Sequence, residues 1–231
     1  MRVLIADDDH EIVDLLSIYL KNEGYKVVQA YDGLEAWNQL QADSQIDLAI
    51  LDVMMPEMEG IEVVEKMRAN GMNIPVIIAS AKTSDHDKIE GLIAGADDYV
   101  AKPFNPLEVI ARVKSLVRRQ SQYSDTQTQS VSEIEVGPLV INRDAHQVFT
   151  IDGHEIQLTV LEFGILYLLA SNPGQVFSAD DIFSEVWADE TTGTAKTVMV
   201  HVSHLREKIA KATGGDKVVQ TVWGVGYKIE A

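Results

Sequence analysis

Three aspartates in a row follow the first apolar run of the chain. Residues 3–11 read VLIADDDHE, so that Asp7, Asp8 and Asp9 come directly after four apolar residues. Clustered carboxylates repel one another unless a cation lies among them. Because carboxylate oxygens are the ligands that a hard cation prefers, two or three of them with waters suit Mg²⁺. The triplet therefore predicts one part of a metal site.

Three further polar side chains follow other apolar runs. Asp52 comes after LAIL, Ser80 after PVIIA and Lys102 after YVA. Each alone is better explained as an ordinary turn residue. Together with Asp7 and Asp8 they predict one site, because ligands of open parallel sheets bind beyond the carboxyl ends of the strands.

These carboxylates, the ammonium group of Lys102 and the hydroxyl group of Ser80 could together bind a phosphoryl group. Phosphoryl transfer depends mainly on positioning and charge neutralisation, and a carboxylate can itself be the acceptor. The sequence therefore predicts a phosphoryl-accepting site that Asp52 completes.

Residues 1–119 alternate short β-rich runs with amphipathic segments. The runs are 2–6, 26–30, 47–51, 75–79 and 99–101, and the segments between them space their apolar residues as helices do. Five strands alternating with five helices, one of them over 84–94, predict a doubly wound α/β domain with a five-stranded parallel sheet.

The rhythm changes after residue 119. Residues 120–131 are almost entirely polar and lack periodicity, which predicts a flexible linker. From 132 to 231, four short strands, three helices and a terminal hairpin predict a separate α+β domain. In it, Thr159 and Glu162 form a capping box. The second helix is predicted to start at Ser178, and the third to cover 195–211.

Composition and charge limit the classes of protein to which the chain can belong. The chain has 231 residues, no cysteine and a net charge of −17. Its apolar runs are too short to cross a bilayer, and no secretory signal begins the chain. We therefore expect a cytoplasmic protein. The acidity argues against nucleic acid as a partner, but residues 191–231 hold six basic and three acidic side chains.

The segment 195–211 is the candidate DNA-reading helix. Val198, Val202, Leu205 and Ile209 form one apolar stripe, which we expect to be buried. The opposite face mixes polar and apolar side chains between basic flanks, as a helix in the major groove does. An ordinary solvated helix is the alternative, and the glycine-containing hairpin that follows argues against it. The predicted DNA contacts are Lys196, Thr197, Val200, His201, Ser203, His204, Arg206, Trp223 and Lys228.

The first half resembles the receiver domain of two-component response regulators. The matching segments are IADDD, LAILDVMMPEMEG, SAK and DDYVAKPF. The resemblance implies that Asp52 accepts phosphate from a sensor histidine kinase. It also implies the following roles: direct Mg²⁺ binding by Asp8, Asp52 and the backbone carbonyl of Met54; Mg²⁺ binding through water by Asp7; a switch pair of Ser80 and Tyr99; and phosphoryl contact by Lys102, which a cis bond joins to Pro103. Asp9 is expected to be a charge at a helix start.

The second half resembles the winged-helix effector domain of the OmpR/PhoB subfamily. The segments LTVLEFGILYLLASNPGQVFSADDIFSEVW, TVMVHVSHLREKI and TVWGVGYKIE carry this resemblance. The tail and the HLREK stretch resemble VanR-type regulators in particular. Ser203, His204 and Trp223 stand where family members often have arginine. The resemblance implies binding to promoter DNA, as direct repeats, and regulation of transcription with RNA polymerase, with activation as the expected direction.

The same resemblance implies a homodimer that forms on phosphorylation. Lys88 would meet Glu108, Asp98 would meet Arg112, and Asp97 would meet Arg119 of the partner copy, with all six charges exposed. The apolar centre of this interface would be Ile89, Leu92 and Ala111.

Two other functions fit parts of the sequence. A phosphohydrolase could use Asp52 as its nucleophile, but haloacid-dehalogenase-like enzymes place a second Asp two residues later, where this chain has Met54. An interaction module acting through protein contacts alone would not need the predicted DNA-reading helix and the hairpin that follows it.

Overall fold

The computed structural model describes residues 1–81, 90–122, 133–187 and 195–230. The chain divides into two compact units, Met1–Val117 and Arg118–Ala231. None of the described helices is both long and apolar enough to cross a membrane.

The first unit is built on a parallel sheet of five strands. These are β1 (Arg2–Ala6), β2 (Lys26–Ala30), β3 (Leu48–Asp52), β4 (Val76–Ser80) and β5 (Asp98–Ala101), in the spatial order β2-β1-β3-β4-β5. The helices are α1 (His10–Asn22), α2 (Gly33–Ala42), α3 (Gly60–Ala69) and α4 (Pro106–Gln122). The predicted doubly wound fold is confirmed. Of the helix predicted over 84–94, residues 90–93 are helical and residues 82–89 lie outside the described part.

Apolar side chains cover both faces of this sheet. On one face Val13, Leu16 and Leu20 of α1 pack with Ile5 and Ile50. On the other face Val63 and Val64 of α3 pack with Leu4 and Leu51. Because β3 and β4 are buried along their whole length, their sequences are nearly all apolar rather than alternating.

The strand order reverses between β1 and β3, and this opens a crevice at their carboxyl ends. The start of α3 lies very close to the end of β3 there. A Cβ atom on Gly60 would lie only 1.9 Å from the backbone oxygen of Asp52, so only glycine fits. Asp9 starts α1 as its N-cap, with its side chain accepting a hydrogen bond from the Glu11 amide at 2.9 Å.

The helix α4 reaches further than the sequence indicates. It continues to Gln122, so residues 120–122 are helical although they were expected to begin the linker. The rest of the predicted linker, from 123 onward, lies outside the described part of the chain.

The second unit is α+β, as predicted. Three antiparallel strands, β6 (Glu133–Val136), β7 (Leu139–Asn142) and β8 (Gln147–Thr150), precede the helices α5 (Val160–Ala170), α6 (Ala179–Trp187) and α7 (Ala195–Thr213). The fourth strand predicted before α5 is wrong, since only Glu155 bridges to Phe149. The capping box of Thr159 and Glu162 is present at the start of α5.

A hairpin of β9 (Val219–Val222) and β10 (Gly226–Ile229) closes this unit. The outer edge of β10 is paired, because Phe177 and Tyr227 exchange two backbone hydrogen bonds of 2.9 Å. The stripe of Val198, Val202, Leu205 and Ile209 is buried in the core of the unit, as predicted for α7.

Candidate functional site

Three aspartates meet at the crevice between β1 and β3. Oxygen atoms of Asp7, Asp8 and Asp52 all lie within 4.8 Å of one another. Asp7 and Asp52 are buried and Asp8 is exposed, so the group opens to solvent on one side. An all-oxygen set of this kind fits Mg²⁺, which binds through a few carboxylates and keeps several waters.

Lys102 lies against two of these carboxylates. Its Nζ atom is 2.7 Å from Asp7 Oδ2 and 3.2 Å from Asp52 Oδ1. The backbone positions it, because the Lys102 amide donates to the Ser80 carbonyl at 2.7 Å and the bond to Pro103 is cis, as expected. Burial lowers the pKa of Lys102, but hydrogen bonding to Asp7 and the charge of Asp52 outweigh burial and raise it.

Burial raises the pKa of Asp52 above its usual range. The charge of Lys102 acts in the opposite direction, and the nearby charge of Asp7 adds to the rise. The ionised form of Asp52 is therefore incompletely stabilised by the groups around it. Further positive charge at this site would stabilise that form.

Asp9 stands apart from the cluster, as expected. Its side chain caps α1, and its amide donates to Asp7 Oδ1 at 3.1 Å. Asp9 therefore caps the amides at the start of α1, which have no partner within the helix. Asp7 and Asp8 lie at the crevice instead.

Ser80 and Tyr99, the predicted switch pair, lie in adjoining strands. Ser80 is fully buried at the end of β4, and Tyr99 is half-buried in the neighbouring strand β5. The Tyr99 ring lies next to Gly91, where a Cβ atom would approach the ring to 3.5 Å. The Met54 side chain is exposed; the role of its carbonyl remains a prediction.

The expectation that the six charges of the dimer face are exposed is wrong for Asp97 and Arg112, which are buried, and Asp98 is only half-buried. Asp97 is 1% exposed, and it accepts hydrogen bonds from Arg68 Nη2 at 3.0 Å and the Val76 amide at 2.9 Å. Arg112 is 6% exposed. It binds Asp98 of the same chain at 2.8 Å and Glu108 at 2.9 Å.

The rest of that face is only partly described. Leu92, predicted at its apolar centre, is buried, whereas Glu108 and Ala111 are exposed. Lys88 and Ile89 lie outside the described residues, and so does the side chain of Arg119.

The second unit presents most of the predicted DNA-contacting residues on its surface. Lys196 and Ser203 of α7 are exposed, and Val200 and His204 are half-buried. Trp223 is 90% exposed at the tip of the hairpin. Lys228 is half-buried, and its Nζ lies 2.5 Å from Glu230 Oε1.

Two of those predictions fail on burial. Thr197 and His201 are buried, and the His201 ring packs 5.5 Å from that of Trp187. Both residues directly precede members of the apolar stripe, at 198 and 202. The packing of α6 against α7 buries a wider band of the helix than the stripe alone predicts.

Two basic side chains of α7 bind within their own unit. Lys208 Nζ is 2.7 Å from Glu162 Oε2. Arg206 donates from Nε to the Val219 carbonyl at 2.9 Å and from Nη2 to Thr221 Oγ1 at 2.7 Å. Arg206 is thus bound to the hairpin, although its sequence position indicated a DNA contact.

Arg68 is a structurally central residue that the sequence did not reveal. Besides Asp97, its guanidinium group donates to the carbonyls of Gly95, Met72 and Ile74. These partners come from separate segments of the chain. No local sequence pattern identifies such a residue, because Arg68 and Asp97 are 29 positions apart.

Comparison with known proteins covers both units. Residues 3–114 match the family described as response regulator receiver domain, and residues 153–229 match transcriptional regulatory protein, C terminal. The chain is 44% identical to the regulatory protein VanR of Enterococcus faecium over 230 residues, which cover 99% of this chain and 98% of that protein. It is 39% identical to the response regulator SaeR of Staphylococcus aureus over 229 residues, with the same coverage.

Solved structures agree on the fold. A mutant of RitR superposes with a TM-score of 0.76, at 23% identity, over 100% of this chain and 99% of that one. The Francisella response regulator 1452 receiver domain matches with a TM-score of 0.50 and 39% identity, over 52% of this chain and 98% of its own.

Proposed function

The chain belongs to the OmpR/PhoB subfamily of two-component response regulators, with a receiver domain and a DNA-binding output domain, and we propose that Asp52 is its phosphoacceptor. The observation that carries this proposal is the crevice where Asp7, Asp8 and Asp52 converge on one another with Lys102 beside them. As a receiver domain, the first unit implies a sensor histidine kinase as partner.

The proposed reaction moves one phosphoryl group from the kinase to this chain. An Asp52 oxygen forms a bond to phosphorus while the phosphorus–nitrogen bond to the kinase histidine breaks, and the bonding electron pair returns to the imidazole. Asp52 is suited to attack because it is buried and only partly compensated by Lys102. Lys102 and the Ser80 hydroxyl would hold the phosphoryl oxygens.

Asp8, Asp52 and the Met54 carbonyl would bind Mg²⁺ directly, with Asp7 acting through water. The ion would supply positive charge against the phosphoryl oxygens. The clustering of carboxylates supports this assignment, since Lys102 brings only one positive charge to a group of three carboxylates.

We propose an acceptor rather than a catalyst. Both units match families of regulators. Met54 stands where a dehalogenase-like hydrolase needs a second Asp, so any loss of phosphate from Asp52 would be slow.

Phosphorylation is proposed to drive dimerisation and promoter binding in the cytoplasm. Ser80 would turn toward the phosphoryl group and Tyr99 would follow, changing the surface formed by β5 and α4. The domains proposed are 1–119 and 132–231. The segment between them, whose first residues 120–122 continue α4, would leave each output domain free to find its half-site. Binding to direct repeats and contact with RNA polymerase would then activate transcription.

Mass spectrometry tests the phosphoacceptor. We expect the wild-type chain, incubated with acetyl phosphate and Mg²⁺, to gain one phosphate mass, and the Asp52→Ala variant to gain none. The matched control is Asp32→Ala, an aspartate that caps α2 and should leave the phosphate gain unchanged. An Asp52→Ala protein that still gains phosphate would refute the assignment.

A further inference from the structure

The helix α7, predicted from the sequence to read DNA, and the hairpin β9–β10 flank an open cleft of about 680 Å³. Arg206, Gln220 and Trp223 are among the residues that line it. The two elements must keep a fixed separation if both are to contact the same DNA duplex. A two-stranded hairpin is only marginally stable alone, so its position depends on what its two edges contact.

The two edges of the hairpin are held in different ways. The β10 edge is held by the backbone, through the pair of hydrogen bonds between Phe177 and Tyr227. The other edge belongs to β9, which ends the two-stranded sheet. On that side, the Arg206 guanidinium binds the Val219 carbonyl at 2.9 Å and the Thr221 hydroxyl at 2.7 Å.

The same guanidinium also contacts the second strand. Its central carbon lies 5.4 Å from the centre of the Tyr227 ring, within the range of a cation–π interaction. Tyr227 is the cross-strand neighbour of Thr221. One side chain of α7 therefore holds both strands of the hairpin, and its contact at Thr221 lies two residues before the exposed Trp223.

We propose that Arg206 is a positioning residue, which fixes Trp223 at the tip of the β9–β10 hairpin (the wing tip) relative to α7, so that the helix and the wing tip contact DNA together. This inference rests on the proposed DNA-binding function and names a determinant of its specificity. It also replaces the expectation that Arg206 contacts DNA directly. The planar fork of arginine suits this role because two of its donors bind one strand at once, which the ammonium of lysine cannot reproduce.

The test uses six variants of the full chain: four single variants described here, and Trp223→Ala alone and combined with Arg206→Ala. The probe is the duplex that the wild-type chain enriches from a random-sequence library. Thr221→Val keeps the Arg206 charge and removes one of its partners. Arg206→Lys keeps a positive charge and removes the fork. Arg206→Ala removes both, and Lys211→Ala, an exposed lysine of the same helix, is the matched control. Circular dichroism melting checks that each variant is folded.

We expect Thr221→Val, Arg206→Lys and Arg206→Ala all to weaken binding, the last on the order of tenfold. The slope of affinity against salt should stay at the wild-type value, because no phosphate contact is lost. In a Trp223→Ala background, Arg206→Ala should add less than about a twofold loss, since it acts through a wing tip that is already disabled.

Other results would overturn the inference. If Thr221→Val and Arg206→Lys bind as the wild type does while Arg206→Ala flattens the salt slope, Arg206 is a phosphate contact. If Arg206→Ala costs the same factor with and without Trp223, it does not act through the wing. A wild-type chain that enriches no sequence at all would instead refute the proposed DNA-binding function.

Discussion

At the scale of residues, the turn that follows β1 places neighbouring aspartates in different roles. Asp8 lies at the crevice with Asp7 and Asp52, whereas Asp9 caps its own helix. Three consecutive carboxylates thus separate into a metal-binding candidate and a structural cap. Sequence position alone makes them look equivalent.

This division leads to a prediction about magnesium. Asp8→Asn should weaken Mg²⁺ binding by about tenfold or more, because it removes one of the proposed direct ligand charges. Asp9→Asn should change it little, since asparagine is also a good N-cap and preserves α1. Isothermal titration calorimetry with Mg²⁺ measures both. Equal losses from the two variants would mean that Asp9 belongs to the site.

At the scale of elements, the side chains of α7 lie in three environments. Some are buried in the core, some bind other elements of the same unit, and some are exposed. Val198 and His201 are buried, Arg206 and Lys208 bind partners within the unit, and Lys196 is exposed. Of these residues, Lys196 is exposed and stays a predicted DNA contact. The basic face of the helix is therefore smaller than its sequence indicates.

The exposed positions should divide further into phosphate contacts and base contacts. Lys196→Ala should flatten the salt dependence of DNA binding by about 1 unit without changing the preferred sequence. Ser203→Ala and His204→Ala should change the preferred sequence at nearly constant slope. Fluorescence titrations at several salt concentrations, paired with library selection, separate the two effects. Indistinguishable behaviour of both groups would contradict this assignment.

At the scale of the whole molecule, the surface proposed for dimerisation is already engaged within one chain. Arg112 binds Asp98 and Glu108 of its own unit, and Asp97 is held by Arg68. A partner copy could reach Arg112 or Asp98 only by sharing or replacing these contacts. Replacing Arg112 would break both of its ion pairs within the unit, so it is a poor probe of dimerisation.

Ala111 is a better probe, because it is exposed on α4 and its methyl group makes no ion pair. Ala111→Glu should prevent the phosphorylated chain from dimerising, since a two-fold axis brings the new charge to the interface twice. Phosphate gain at Asp52 should be unaffected. Light scattering after treatment with acetyl phosphate measures the outcome. Ile18→Glu, which introduces the same charge at an exposed position of α1, is the control and should dimerise normally.

Two results would be informative in different ways. A phosphorylated Ala111→Glu chain that dimerises as tightly as the wild type would show that the interface lies elsewhere. A phosphorylated wild-type chain that stays monomeric would contradict the proposal of dimerisation itself.

The sequence by itself determined the alternation of strands and helices, the two kinds of domain and the residues of the acidic crevice. These features follow from local patterns. Apolar runs mark buried parallel strands, and the carboxyl ends of such strands meet at one edge. The sequence alone therefore predicts one site that contains Asp7, Asp52, Ser80 and Lys102. The buried stripe of α7 followed in the same way from helical periodicity.

Only the tertiary structure decided which charges face outward. Asp97 pairs with Arg68 across 29 positions, Glu162 pairs with Lys208 across 46, and Arg206 reaches Thr221 across 15. Periodicity gives the direction of a side chain but not what another element places beside it, so Asp97, Arg112 and His201 look exposed in the sequence and are buried in the fold. The physical reason is that burial of a charged or polar group depends on partners that the chain brings near only when it folds.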